Sequence, residues 1–282
     1  SAPADHADFV EKISGRCHIF VEKPFAVDAD DARRMMRAMD GTGKQMAINW
    51  PLAWVESHVT AKRLIDEGTI GDLIEVHFYD GNRGPLFHVA DKAEVSLDEV
   101  ERQKPDSWWY KAASGGGSLR DYLGYGSTLG TWYMNGAQPR EVTCVIDETP
   151  GIEVDQHSIT ICRYESGLSK METRWGTFTD PWATQPQPIC GFVFVGKDGT
   201  IASADYADHV TVQTRSNPAR SSVPADPLPK GAENGIAYVL SCLENETPIA
   251  GPLAPDLCLI GQRIIDTAVA SAKAKRTLDL LP

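Results

Sequence analysis

The sequence has no run approaching the ~18 consecutive apolar residues of a membrane-crossing helix, and its start carries no signal-peptide core. Basic charge is scarce: 27 Lys and Arg stand against 39 Asp and Glu, a net charge of −12 with a pI near 5.0. That balance argues against nucleic acid and anionic membranes as partners and leaves a small neutral ligand as the easier one. Cysteine is sparse and scattered, at Cys17, Cys144, Cys162, Cys190, Cys242 and Cys258, with no Cys-x-x-Cys pair. These read as reduced, mostly buried thiols of a soluble cytoplasmic protein. His6, His58, His77, His88 and His157 lack ligand spacing, so no metal is expected.

A dinucleotide fingerprint is also missing. Gly115 to Gly117 lacks the Gly-x-Gly-x-x-Gly spacing and follows no convincing strand. Gly124-x-Gly126 with Gly130 misses it too and reads as easing close helix packing.

What is present begins with helical spacing over residues 5–14, where Phe9, Val10 and Ile13 recur before Gly15. Cys17 to Val21 reads as a buried strand closed by Glu22-Lys23-Pro24, which delivers an ammonium group to the carboxyl end of a sheet, where open α/β sheets bind ligands. Asp28 or Asp30 can cap a second helix with Ala32, Met35, Met36 and Met39 on one face. Lys44 to Asn49 is a second short strand, and Trp54 to Glu67 a further helix. This cadence predicts a doubly wound parallel unit. A strand suited to an interior position has too few partners here, so the unit reads as incomplete.

From about residue 73 the pattern alternates. Ile74, Val76 and Phe78 point one way and Glu75, His77 and Tyr79 the other, and similar runs recur at 142–146, 157–163, 168–175, 191–195 and 210–213. The fold class is therefore α/β plus α+β: an incomplete Rossmann-type unit, then an open-faced, mostly antiparallel sheet with flanking helices. Residues 1–70 are assigned to the first domain and 71–282 to the second. The four prolines of residues 216–231 mark a surface excursion or a lid, and helices are expected at 233–244 and 255–275, the latter packing back towards the first domain.

Asp121 and Tyr125 lie four apart, on one face of an expected helix. They read either as a proton-handling pair, or as an anion favoured by the helix dipole beside a half-buried phenol. Of the seven tryptophans, one or two of Trp50, Trp108 and Trp109 are expected at a ligand, because indole faces stack on the C–H faces of sugars, and the rest in the interior.

Glu22-Lys23-Pro24 after an apolar strand, with Pro3-x-x-His6 ahead of it, resembles the corresponding segment of the glucose-fructose oxidoreductase / inositol dehydrogenase / MocA family. So do Asp66-Glu67-Gly68-Thr69-Ile70-Gly71, the glycine run ending at Asp121, and the ending Ala268 to Leu280. The resemblance implies an NAD- or NADP-dependent oxidoreductase that transfers hydride from a sugar, cyclitol or related polyol. It implies Lys23, Asp121 and Tyr125 as catalytic residues, and Glu22, Lys23 and Pro24 beside the cofactor. It implies Lys23, Asn49, Trp50, Trp108, Trp109, Asp121 and Tyr125 around the substrate. Tyr125 stands where the family more often has histidine, and with an ordinary pKa of about 10 it would need the Lys23 cation to act as a base. The chain starts where the family's third Rossmann strand should already have ended, so the expectation is a nucleotide half that is incomplete. The alternatives are a non-catalytic carbohydrate-binding or regulatory remnant, and a subunit completed by a partner. A homodimer or homotetramer through the open sheet face is expected.

Overall fold

The computed structural model describes residues 2–89 and 92–282. The first helical pattern forms α1 (His6–Ile13), which buries Ala7 and Val10. The apolar run after it yields only three residues of strand, β1 (Ile19–Val21), which leads through α2 (Ala29–Met39) to a parallel partner, β2 (Met46–Ile48). Asp28 caps α2 by accepting the amide of Asp31, and Ala32, Met35 and Met39 are buried beneath it. Among the described residues this parallel pair has no third strand.

After α3 (Glu56–Asp66) the chain turns at Gly68, with φ at +77°, into the long strand β3 (Leu73–Asn82). Then come α4 (Leu97–Gln103), α5 (Ser118–Gly124), a stretch of π geometry at Tyr125–Leu129, and α6 (Gly130–Tyr133). The strands β4 (Glu141–Ile146), β5 (His157–Arg163), β6 (Leu168–Trp175), β7 (Gly191–Gly196), β8 (Gly199–Ala204), β9 (His209–Thr214) and β10 (Ser221–Pro224) follow. The chain closes with α7 (Gly235–Glu244), α8 (Pro255–Ala274) and β11 (Leu278–Asp279).

Among the described residues nine strands join in the order β10-β9-β8-β7-β3-β6-β5-β4-β11, and every pairing is antiparallel except β3 with β6. Period-two patterning puts Val76, Phe78, Met171, Phe194 and Ile201 on a covered face, while Ile159, Ile161 and Val193 remain exposed on the other. The helices α5, α6 and α8 lie on the covered side. Strand β8 was not legible in the alternation, because Ile201 is its one large apolar residue in a run of Gly, Thr, Ala and Ser.

Residues 216–231 differ from the excursion or lid expected of them. Ser221–Pro224 pairs with β9, and Asp226 beyond it is held by Arg63 at 2.7 Å and by a hydrogen bond that its backbone N–H donates to Thr60 Oγ1 at 2.8 Å. Pro224 is tolerated because β10 is an edge strand, where its missing N–H breaks no ladder. No helix among the described residues is long and apolar enough to cross a membrane.

Helix α8 binds both parts of the chain. Its Gln262 and Asp266 accept the amides of Ala26 (3.4 Å) and Ala29 (2.6 Å), and Ser271 accepts the amide of Cys144 in β4 (2.9 Å). Its close approach to the π stretch depends on Gly261, where an added Cβ would lie 3.0 Å from Thr128 Cα. Gly261→Ala is expected to destabilise the fold by about 1–3 kcal/mol through overpacking against backbone. Thermal unfolding checks it, and an unchanged Tm would contradict the close contact.

Candidate functional site

The site forms where the end of β1 meets α5. Lys23 extends from β1, and its Nζ lies 2.5 Å from Asp121 Oδ1 and 3.3 Å from the Asp121 carbonyl. The other Asp121 oxygen accepts the indole N–H of Trp175, at the end of β6, at 3.1 Å. A buried charge pair is tolerable only when its remaining valences are met, and here both carboxylate oxygens are. The ammonium is ringed by aromatic faces: Tyr125, Tyr122 and Trp109, with centroids at 5.4, 5.7 and 5.8 Å.

These groups line a cavity of about 330 Å³, at the lower end of ligand-pocket sizes. Its far wall comes from the large sheet: Asp80 and Asn82 at the end of β3, and Asp205 and Tyr206 just past β8. His88 and Trp182 complete the mouth, with their rings packed edge to face at 4.7 Å.

The sequence-derived residues do not all converge here. Lys23, Trp109, Asp121 and Tyr125 line the cavity. Trp108 stacks on Trp109 at 3.8 Å and supports it from outside the lining. Trp50, expected at the substrate, is buried in the core instead, because its indole N–H is taken by Cys258 Sγ (3.3 Å) and its ring packs edge-on against Tyr125. Asn49 is also outside the lining, bonded to Glu22 at 2.7 Å beyond the strand ends, and Pro24 faces a separate shallow cleft.

The expected activation of Tyr125 is reversed. Burial, reinforced by the charges of Asp80 and Asp121, pushes its phenol well above the ordinary range in spite of Lys23. The direction of that shift favours the protonated, hydrogen-bonding form of the Tyr125 phenol.

Sequence reasoning missed Asp80 and Asp205. The signal was present for Asp80: it continues the series Val76, Phe78 on the covered face, where a carboxyl group has no structural reason to be. Burial, then the charges of Asp205 and Asp121, raise the Asp80 pKa well above the carboxylate range, with Lys23 opposing. Burial likewise lowers the pKa of His88, which stays a neutral imidazole.

A profile of the GFO/IDH/MocA C-terminal domain matches residues 58–202. The chain belongs to the GFO/IDH/MocA family. Inositol 2-dehydrogenase of Gluconacetobacter diazotrophicus is 31% identical over 99 residues, which are 34% of this chain and 28% of that protein. Among solved structures, aldose-aldose oxidoreductase from Caulobacter crescentus, complexed with glycerol, superposes with a TM-score of 0.75 at 20% identity, covering 99% of this chain and 78% of that one. Levoglucosan dehydrogenase in complex with NADH and L-sorbose gives 0.76 at 16% identity, covering 100% and 78%. These likenesses show the GFO/IDH/MocA fold, an α/β unit beside a large mostly antiparallel sheet.

Two places in this GFO/IDH/MocA chain where a pyrophosphate could be sought offer it no cradle. Helix α2, which follows β1, has its N-terminal amides occupied by the carboxylates of Asp28 and Asp266, an arrangement that repels an anion. Gly115–Gly117 is not a substitute, since a Cβ on Gly116 would collide with the carbonyls of Trp108 and Trp109.

The raised pKa of Asp80 has a stability consequence. Folded Asp80 keeps a proton that the unfolded chain releases near pH 4, so its contribution is full at acid pH and is lost as pH rises towards the folded pKa. Asp80→Asn should gain stability relative to wild type in the window that opens above about pH 4. Paired Tm curves that stay parallel across that window would contradict the assignment.

Proposed function

We propose that this chain binds the substrate and handles the proton in an NAD- or NADP-dependent oxidoreductase acting on a hydroxyl of a sugar, cyclitol or related polyol. The observation that carries this reading is the part-buried Lys23–Asp121 pair lining a cavity whose other walls offer carboxyl, amide and phenol groups. Oxidising an alcohol removes a proton from oxygen and a hydride from carbon. An ammonium group has three donors; two of those of Lys23 are directed at Asp121, which leaves one to polarise the reacting hydroxyl. Asp121 holds that donor in place and accepts the proton: Lys23 passes one of its protons to the Asp121 carboxylate as it takes up that of the hydroxyl. The neutral Tyr125 adds a second hydrogen bond, and Trp109 offers a flat face to the C–H side of a ring.

A bound nicotinamide would supply the hydride acceptor. The relatives named for inositol, aldoses and levoglucosan support a polyhydroxylated substrate. The division near residue 70 remains part of this proposal, although α3 packs on the large sheet through Ser57 and His58. So does self-association through the exposed Ile159, Ile161 and Val193, which a mass measurement in solution tests. A cytoplasmic setting is proposed as well, in keeping with six free cysteines.

Lys23→Met is expected to lower turnover by about a hundredfold or more, with the circular dichroism spectrum unchanged. A rate within about threefold of wild type would sink the assignment. Titration with NADH, NADPH and neutral sugars, followed by tryptophan fluorescence, separates the readings: sugar binding with no response to either nucleotide favours a carbohydrate-binding protein over an enzyme.

A further inference from the structure

The cavity contains one feature that the oxidoreductase reading does not use. His58 on α3 is completely buried, with Nε2 2.7 Å from Asp205 Oδ1 and Nδ1 2.6 Å from Ser203 Oγ. Its carbonyl accepts the Tyr133 hydroxyl at 3.1 Å, and its ring stands perpendicular to Phe192 at 5.1 Å. Serine, histidine and aspartate are in the order of a hydrolytic triad, but Ser203 is only 1% exposed and reaches no substrate. With both ring nitrogens engaged and the backbone pinned, the imidazole cannot turn. What it controls is Asp205, the member that lines the cavity.

Asp205 has one oxygen on His58, and among the described residues its second oxygen has no hydrogen-bond partner. The charges around the cavity are unequal. Among the described residues Lys23 is the one cation in the lining, and Asp121 already pairs with it at 2.5 Å. Burial and the neighbouring carboxylates push Asp80 towards its neutral form, and burial pushes His88 towards the uncharged imidazole. Lys92 lies outside the lining, exposed, on the rings of Tyr206 and Trp182 at 4.4 and 5.2 Å. No unpaired cation among the lining residues faces the free oxygen of Asp205, which is placed to accept hydroxyl groups and to repel anions.

We infer that Asp205, held in place by the buried His58–Ser203 pair, sets the charge selectivity of this cavity, admitting uncharged polyols and excluding sugar acids and sugar phosphates. The inference rests on the polyol reading above and specifies its substrate class. Asp205 is the specificity-determining group and His58 a positioning residue that acts through it.

Calorimetric titration of the full chain with glucose, myo-inositol, glucuronate and glucose 6-phosphate at low ionic strength tests it. Wild type should bind the neutral compounds at least about tenfold more tightly than the anions. Asp205→Asn, which keeps the shape of the side chain, should bring the two groups to within about threefold. His58→Leu should lose the preference as well, and His58→Gln, which can still donate to Asp205, should restore most of it. A purely structural His58 would lower Tm in both His58 variants without moving the ratio, and that result overturns the positioning role. Wild-type binding of glucuronate as tight as that of glucose overturns the selectivity and leaves the polyol reading standing. If none of the four compounds binds, the polyol reading falls and the inference falls with it.

Discussion

The molecule depends on a charge pair between residues far apart in the chain, Lys23 and Asp121. Isolated in the interior either charge would be prohibitive, and each is tolerated because the other is there and because Trp175 meets the remaining carboxylate oxygen. Through these three side chains the end of the small parallel pair, the start of α5 and the end of β6 are drawn to a common point. Aromatic faces of Tyr125, Tyr122 and Trp109 then flank the partly exposed cation.

The cavity next to that point is an outcome of sheet geometry. On β3 and β8 the covered-face positions run Val76, Phe78, Asp80 and Ile201, Ser203, Asp205, so that each series changes from apolar to acidic where the strand ends. Because β3 and β8 both pair antiparallel to β7, they run the same way and their two carboxyl groups emerge at the same rim. The π stretch at Tyr125–Leu129 and the glycines beside it let the helix lie close to that rim: a Cβ on Gly126 would come within 2.6 Å of Phe78. Polar chemistry is thus gathered at one edge of an otherwise apolar interface.

Much of the architecture was legible in local pattern. Alternation located β4, β5, β6, β7 and β9 within a residue or so, helical spacing located α1, α2, α7 and α8, and Asp28 was recognisable as a cap. Local pattern failed where the deciding interaction was remote. Strand β8 has little apolar content of its own and exists because β7 and β9 flank it. Residues 221–224 became an edge strand because β9 offered a free edge. Trp50 went to the core because α5 and α8 supply a glycine and a thiol to receive it.

The sequence by itself determined the alternation of apolar and polar positions, the helix caps, the acidic net charge, and the presence of an ammonium group after one strand and a carboxyl–phenol pair four residues apart on a helix. Those properties are settled by side-chain chemistry at short spacing. Only the tertiary structure decided that Lys23 and Asp121 meet, that Asp80 and Asp205 join them, that His58 faces Asp205, and that Tyr125 stays protonated. Protonation and pairing depend on burial and on charges brought near by folding, and these are distances through space that no local spacing encodes.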